Sequence, residues 1–244
     1  MEISVIASGS NGNSCLVEDK GTSVLLDAGK SGIEIESRMN KLGKSLENVD
    51  GIVITHSHHD HISGAGVLAR RFNIPLWMSK PTYEEASFKI GKAKIRLFDK
   101  NFRIKKLEIQ SIPTSHSVHS CGFRIKDFGL FTDTGIITKE IEKVMPKLKA
   151  VLMESNHDVD MLLNGRYPYF LKQWILSDTG HLNNIDASNL IQNKGKNLSL
   201  ALLGHLSENN NSADVVKKTF ETLVKRKIEY KVCSRYEETG SWII

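Results

Sequence analysis

Cysteine is scarce and scattered in this chain. Cys15, Cys121 and Cys233 are widely spaced and make no CxxC motif. An odd number of scattered cysteines argues against a disulfide framework and points to reduced thiols in a cytoplasmic protein. Long apolar runs are lacking too, and no stretch reaches the roughly 18 residues that a membrane span needs. Met1-Glu2-Ile3-Ser4-Val5-Ile6 has neither the basic region nor the long apolar core of a signal peptide. There is no low-complexity segment, no linker and no short tandem repeat. The expectation is a soluble intracellular protein, 244 residues long and 40% hydrophobic, enough for one large domain or two small halves around a shared core. The formal charge of +5 leans toward a polyanionic partner. The basic residues are dispersed, however, and a solvated basic surface reads equally well.

The densest chemistry lies at Thr55-His56-Ser57-His58-His59-Asp60-His61. The apolar run Gly51-Ile52-Val53-Ile54 precedes it as a buried strand, and Ile62, Ala65, Leu68, Ala69 and Phe72 follow at helical spacing. His56 and His58, two apart in an extended segment, can point the same way, while Asp60 and His61 fall at the turn into the helix. Imidazoles and carboxylates packed this densely without an ion would need many compensating hydrogen bonds. The cluster reads as a metal site able to feed two ions.

Along the chain, strands are expected at Ile3–Ala7, Cys15–Glu18, Ser23–Leu26, Pro75–Met78, Lys94–Leu97, Phe102–Ile104, Leu107–Ile112, Gly122–Ile125, Leu130–Thr132, Ala150–Met153, Leu198–Leu203, Tyr230–Val232 and Ser241–Ile244. Helices are expected over 32–42, Thr82–Ile90, Thr138–Leu148, Leu171–Leu176, Asn184–Gln192 and Ala213–Lys225. The loop Ser8 to Ser14 contains Asn11-Gly12, a hairpin turn whose exposed amides could also touch a phosphate. Strands repeatedly end in Asp27, His56, His116, Asp133 and Glu154, so polar groups collect where α/β folds build their sites. A coarse duplication, strands then helices in each half, suggests two sheets face to face with helices outside.

The ligand candidates are His56, His58, Asp60, His61, His116, Asp133 and His205. Nitrogen and oxygen donors with one carboxylate able to bridge suit two ions such as zinc or manganese. No cysteine joins them, which favours open catalytic positions over a closed structural zinc site. His59 is expected to face solvent. His119 could replace His116, which is favoured because it directly follows a strand. His157 reads equally as a substrate contact or a turn residue.

His56-Ser57-His58-His59-Asp60-His61 resembles the HxHxDH signature of the metallo-β-lactamase superfamily, and Asp27, His116, Asp133 and His205 match its other motifs in order. The resemblance covers essentially the whole chain. It implies a four-layer αβ/βα sandwich, a single domain over 1–244, with the dinuclear site at one edge of the sheets. His56, His58 and His116 would hold one ion, Asp60, His61 and His205 the second, with Asp133 bridging and Asp27 orienting a ligand histidine. More narrowly, Glu154-Ser155-Asn156-His157-Asp158, Ser177-Asp178-Thr179-Gly180-His181-Leu182 and Leu203-Gly204-His205-Leu206-Ser207 resemble the WalJ/YycJ group of metal-dependent exonucleases. The triplet Glu154, His181 and His205 also resembles the late motifs of RNase Z relatives. His181 would then act on the scissile phosphodiester, Glu154 would orient it, and Asp60 would complete the catalytic set. Ser117 and Asn183 depart from the group's pattern, which often has Asp after the histidine and Ser after His-Leu.

The resemblance implies a DNA exonuclease, 5′-to-3′, using a hydroxide generated by two metals. Asn156, His157, Arg166, Lys172 and Ser207 are candidate substrate contacts. Arg166, Tyr167, Lys172 and Gln173 interleave charge with an aromatic ring, as strand-binding surfaces do; a solvated helix face with Tyr167, Tyr169 and Trp174 in the core reads as well. The alternatives are a small-molecule hydrolase acting on a cyclic phosphodiester, thioester or lactone, and a flavodiiron-type redox protein or regulatory binder. The redox form is disfavoured by His58, where it would carry Glu. Fold alone does not choose among them.

Overall fold

Short apolar runs separated by polar turns give fourteen strands and nine α-helices in the computed structural model, which describes all residues from Met1 to Ile244. In chain order they are β1 Glu2–Ala7, β2 Ser14–Asp19, β3 Thr22–Leu26, α1 Gly32–Lys41, β4 Gly51–Val53, α2 His59–Ile62, α3 Ala65–Arg71, β5 Leu76–Met78, α4 Lys80–Ile90, β6 Ile95–Leu97, β7 Asn101–Ile104 and β8 Leu107–Pro113. There follow β9 Cys121–Ile125, β10 Phe128–Phe131, α5 Lys139–Val144, β11 Ala150–Glu154, α6 Val159–Asn164, α7 Tyr169–Ile175, α8 Asn184–Lys194, β12 Leu200–Gly204, α9 Ala213–Leu223, β13 Glu229–Val232 and β14 Gly240–Ile243. No helix is long and apolar enough to cross a membrane.

The strands make two seven-stranded sheets, ordered β14-β1-β2-β3-β4-β5-β6 and β13-β12-β11-β10-β9-β8-β7. In the first, β14, β1, β2 and β3 pair antiparallel, then β3 to β6 run parallel. In the second, β10 to β13 run parallel, with β9 antiparallel to β10. The chain divides into two compact units, Met1–Ser111 with Ser234–Ile244, and Ile112–Cys233.

Each unit has its own core. In the first, Ile35 and Met39 of α1, Leu68 of α3 and Ala86 and Ile90 of α4 pack with Leu16, Leu25, Ile52 and Leu76 of the sheet. In the second, Ile141 of α5, Ala187 and Ile191 of α8 and Val216 and Phe220 of α9 pack with Phe131, Val151, Met153, Ala201 and Leu203. A fully buried side chain of this size contributes about 1.5–3 kcal/mol. Alternate residues such as Val5, Val17, Val24 and Val53 are also buried. Strands covered on both faces read as continuous apolar runs rather than alternating ones.

Two expected helices differ from those observed, and a third helix was not expected. Thr138–Leu148 is α5 followed by a single 3-10 turn, Met145–Lys147, because Pro146 has no amide proton to continue the α pattern. The helix after the histidine cluster is broken into α2 and α3 at Gly64, whose amide donates to the Ala28 carbonyl at 2.8 Å. The stretch after Asp158 forms α6, which its sequence did not announce. Asp158 caps it by accepting from the Met161 amide at 2.9 Å.

Candidate metal centre

In the first unit the site is built on the ends of the parallel strands. Asp27 follows β3 in the left-handed region, φ 59°. Its carboxylate accepts the Thr55 amide at 2.8 Å and the Thr55 hydroxyl at 2.9 Å, and lies 2.7 Å from Nδ1 of His61. Burial pushes the Asp27 carboxyl up; the His61 ring and the Thr55 bonds draw it back only in part. The Thr55 oxygen also accepts from Nδ1 of His56 at 3.0 Å. With both Nδ1 atoms committed, Nε2 becomes the donor atom of each ring. Nε2 of His56 meets Nδ1 of His58 at 3.1 Å, and Nε2 of His61 lies 3.4 Å from an Asp60 oxygen.

The second unit repeats the plan. Asp133 lies two residues beyond β10 at φ 57°, and His205 directly follows β12 at φ 58°. Glu154, the last residue of β11, is fully buried. Its Oε1 accepts from Nδ1 of both His181, at 2.8 Å, and His205, at 2.6 Å, while Oε2 accepts the amides of Thr134 and Leu182. Burial alone would raise the Glu154 carboxyl, but the two imidazoles outweigh it and hold it at about 2. Nε2 of His205 lies 3.6 Å from Asp133 and Nε2 of His116 lies 3.8 Å from the same oxygen. His116 donates Nδ1–H to the Gly180 carbonyl at 3.2 Å. Asp133, Glu154, His181 and His205 each offer a ligand atom, all within 4.8 Å of one another.

The donor chemistry fits divalent cations. His56, His61, His116 and His205 each tie Nδ1 to an oxygen, which fixes the tautomer and leaves Nε2 as a lone pair, as second-shell partners do for metal-bound histidine. His56 Nε2 and His58 Nδ1 facing each other repel unless a proton or cation lies between them. Each unit thus holds a cluster of metal-binding character. His59 and His119 are exposed, whereas the His116 side chain is buried.

The other predicted residues fall in distinct places. Asn156 is buried and donates its amide to the His205 carbonyl at 2.8 Å. Ser207 is nearly buried in the same loop cluster, its amide on the Asn156 carbonyl. His157 is buried with neither ring nitrogen bonded within the protein, and burial pulls its pKa down to about 4, although Glu154 and Asp158 oppose this. Arg166 is exposed, and Lys172 donates its ammonium to the Leu163 carbonyl at 2.7 Å. Tyr167 and Trp174 are half-buried, and Tyr169 stands in solvent.

Three residues that sequence reasoning passed over serve the site. Asn13, in the loop after β1, sets its Nδ2 3.1 Å from Nε2 of His61 and 3.5 Å from Asp60, so that loop supports ligands. Thr55 joins Asp27 to His56. Trp174 of α7 packs edge-on against His181, centroids 5.4 Å apart, and lies 6.1 Å from His116. The Asn11-Gly12 turn marks where Asn13 sits but carries no sign of its role.

The sequence model of the metallo-beta-lactamase superfamily matches residues 7–132. The exodeoxyribonuclease WalJ of Streptococcus pneumoniae is 37% identical over 229 residues, covering 88% of this chain and 85% of that protein. The exodeoxyribonuclease YycJ of Bacillus anthracis is 33% identical over 244 residues, covering 93% and 90%. Among solved structures, the metallo-beta-lactamase fold protein YhfI of Bacillus subtilis matches with a TM-score of 0.77 over 99% of this chain and 98% of its own, at 19% identity. Human tRNase Z, short form, matches at 0.68 over 98% and 99%, at 13% identity. With matching motifs, matching fold and these relatives, the chain belongs to the metallo-β-lactamase superfamily of metal-dependent hydrolases.

Proposed function

We propose that this chain is a DNA exonuclease that hydrolyses phosphodiesters with two divalent ions, zinc or manganese, working from the 5′ end as one domain over 1–244. The observation that carries the reading is the buried Glu154 carboxylate shared by His181 and His205. The two exodeoxyribonuclease relatives, aligned over most of their length, support the substrate class. In this reading His56, His58 and His116 hold one ion, Asp60, His61 and His205 hold the other, and Asp133 bridges. When bound, such a pair lowers the pKa of a water and offsets charge developing on the phosphate.

The chain's own groups do the rest. Glu154 stays ionised far below neutral pH and accepts from Nδ1 of His181, which fixes the ring and leaves Nε2 as the atom that can face the substrate. His181 then donates to the scissile phosphate or protonates the leaving oxygen, a role worth about 10²–10⁴-fold. Asp27 orients His61. Arg166 is the exposed cation proposed to meet a phosphate. Three cysteines that form no disulfide favour the cytoplasm as the working compartment.

The test is digestion of a 5′-phosphorylated, end-labelled DNA duplex by metal-reconstituted protein, with His58→Ala and His181→Ala alongside. Progressive nucleotide release, lost in both variants, is expected. No release with either metal, together with turnover of a nitrophenyl phosphodiester, would move the chain to the small-molecule hydrolases.

A further inference from the structure

Large apolar side chains in solvent are unevenly distributed. Of twelve on the molecule, Leu163, Tyr169, Phe170 and Leu176 fall in the one stretch of chain that holds α6 and α7. Tyr169 is 77% exposed and Phe170 75% exposed, so neither ring serves the core. Each presents an aromatic face of the kind that dominates interfaces, with no partner in this chain.

Their position on α7 gives them a direction. Phe170 and Trp174 are four apart on the helix, hence neighbours on one face about 6 Å apart. Trp174 in turn touches His181 and approaches His116. Phe170 therefore continues a line of aromatic surface that begins at the proposed general acid, and Tyr169 stands beside it at the start of the helix. Cations flank it: Arg166 is exposed just before the helix, and the Lys172 ammonium keeps two of its three hydrogens after bonding Leu163.

The platform is also held still. Lys172 ties α7 to the end of α6, and Asn209 donates to the Tyr167 hydroxyl at 3.2 Å. Gly165 presses on Asn210 so closely that a Cβ there would stand 2.5 Å from the amide oxygen. Rings presented on a pinned backbone lose little entropy when something stacks on them.

We propose that Tyr169 and Phe170 form a stacking platform for unpaired bases of the strand whose phosphodiester reaches His181. This deepens the exonuclease reading and rests on it. Flat rings beside cations fit bases beside phosphates, and stacking accepts every base because each has a π-face. The platform thus calls for a frayed or single-stranded end and for little sequence preference. The cations and the contact with His181 favour a nucleic acid strand over a second copy of this chain.

The test reads binding, with metal chelated so that no cleavage intervenes. Fluorescence anisotropy measures the affinity of a short labelled single strand and of an abasic strand of equal length. Tyr169→Ala and Phe170→Ala are each expected to weaken binding of the normal strand about fivefold or more. The double variant should bind normal and abasic strands alike, and Phe170→Trp should restore the difference. Equal affinity of wild type and double variant for the normal strand, in protein that digests DNA once metal is returned, overturns the platform and leaves the nuclease standing. Loss of a concentration-dependent dimer in the double variant, with DNA affinity unchanged, also overturns it. Base-dependent binding by a wild type that digests no DNA supports the platform and sinks the exonuclease.

Discussion

Glu154 satisfies four hydrogen-bond donors with two oxygens and no exposed surface. One oxygen serves two imidazoles and the other two backbone amides, so an amide side chain of equal shape would turn a donor toward donors. Three site residues, Asp27, Asp133 and His205, hold left-handed backbone, which costs a non-glycine residue about 1–3 kcal/mol. Asp tolerates this region and His visits it, so the same conformation that ends each strand abruptly is reachable by ligand-bearing side chains. His157 is a third kind of case, a buried imidazole kept neutral. Its pKa falls from 6.5 to about 4 on folding. Between those values the unfolded chain binds a proton that the native state does not, so stability falls as pH drops through the window and recovers above it. The full effect is ~3 kcal/mol, and about 2 kcal/mol of it lies between about pH 7 and about pH 5. Urea unfolding of chelated wild type and His157→Gln at those two pH values should differ by that amount, wild type losing more. Parallel losses would mean that His157 is protonated, or paired, in the native protein.

Among elements, the loops after β1, β3 and β4 act as one body. The Asn13 amide donates to the Asp60 carbonyl, the Gly29 amide to Asn13, and the Ala28 amide to His61, each at 2.8 Å. Gly29 is required at this junction because a Cβ would stand 1.7 Å from the Asp60 carbonyl oxygen, against backbone that cannot swing aside. Gly29→Ala is expected to cost ~3 kcal/mol or more by forced overpacking and to displace Asp60 and His61, lowering bound metal. Gly43→Ala, at φ +70° with nothing near its Cβ, should cost about 1 kcal/mol and leave metal content intact. Equal unfolding midpoints and metal content for the two variants would refute the packing of the three loops. Such junctions explain what the sequence could and could not show. Strands buried on both faces announce themselves as apolar runs, and ligand residues at their ends are conspicuous by chemistry. Helix α6 has one buried side chain, Leu162, too few to make a period. Asn13 and Thr55 owe their roles to contacts formed by folding, Asn13 reaching a residue 48 positions away. The departure at Asn183 has a plain cause: its side chain caps α8 by accepting the Asp186 amide at 2.9 Å, as Ser would. Ser117, the other departure, is exposed.

At the scale of the molecule, the proposed ligands are divided between the units: His56, His58, Asp60 and His61 in the first, His116, Asp133 and His205 in the second. Metal bound by these donors stabilises the folded chain, because the unfolded chain holds no such constellation. With free metal at about 100 times the dissociation constant, each site adds ~2.7 kcal/mol, or about 5–10 °C of Tm for a chain of this size. Calorimetry of chelated protein titrated with zinc or manganese should show that rise. Both His58→Ala and Asp133→Ala should reduce it, although one substitution lies in each unit. If only the second-unit substitution reduced the rise, the ion would belong to Asp133, Glu154, His181 and His205 alone. Glu154 would then be a ligand, and His181, occupied by metal, could not serve as the acid.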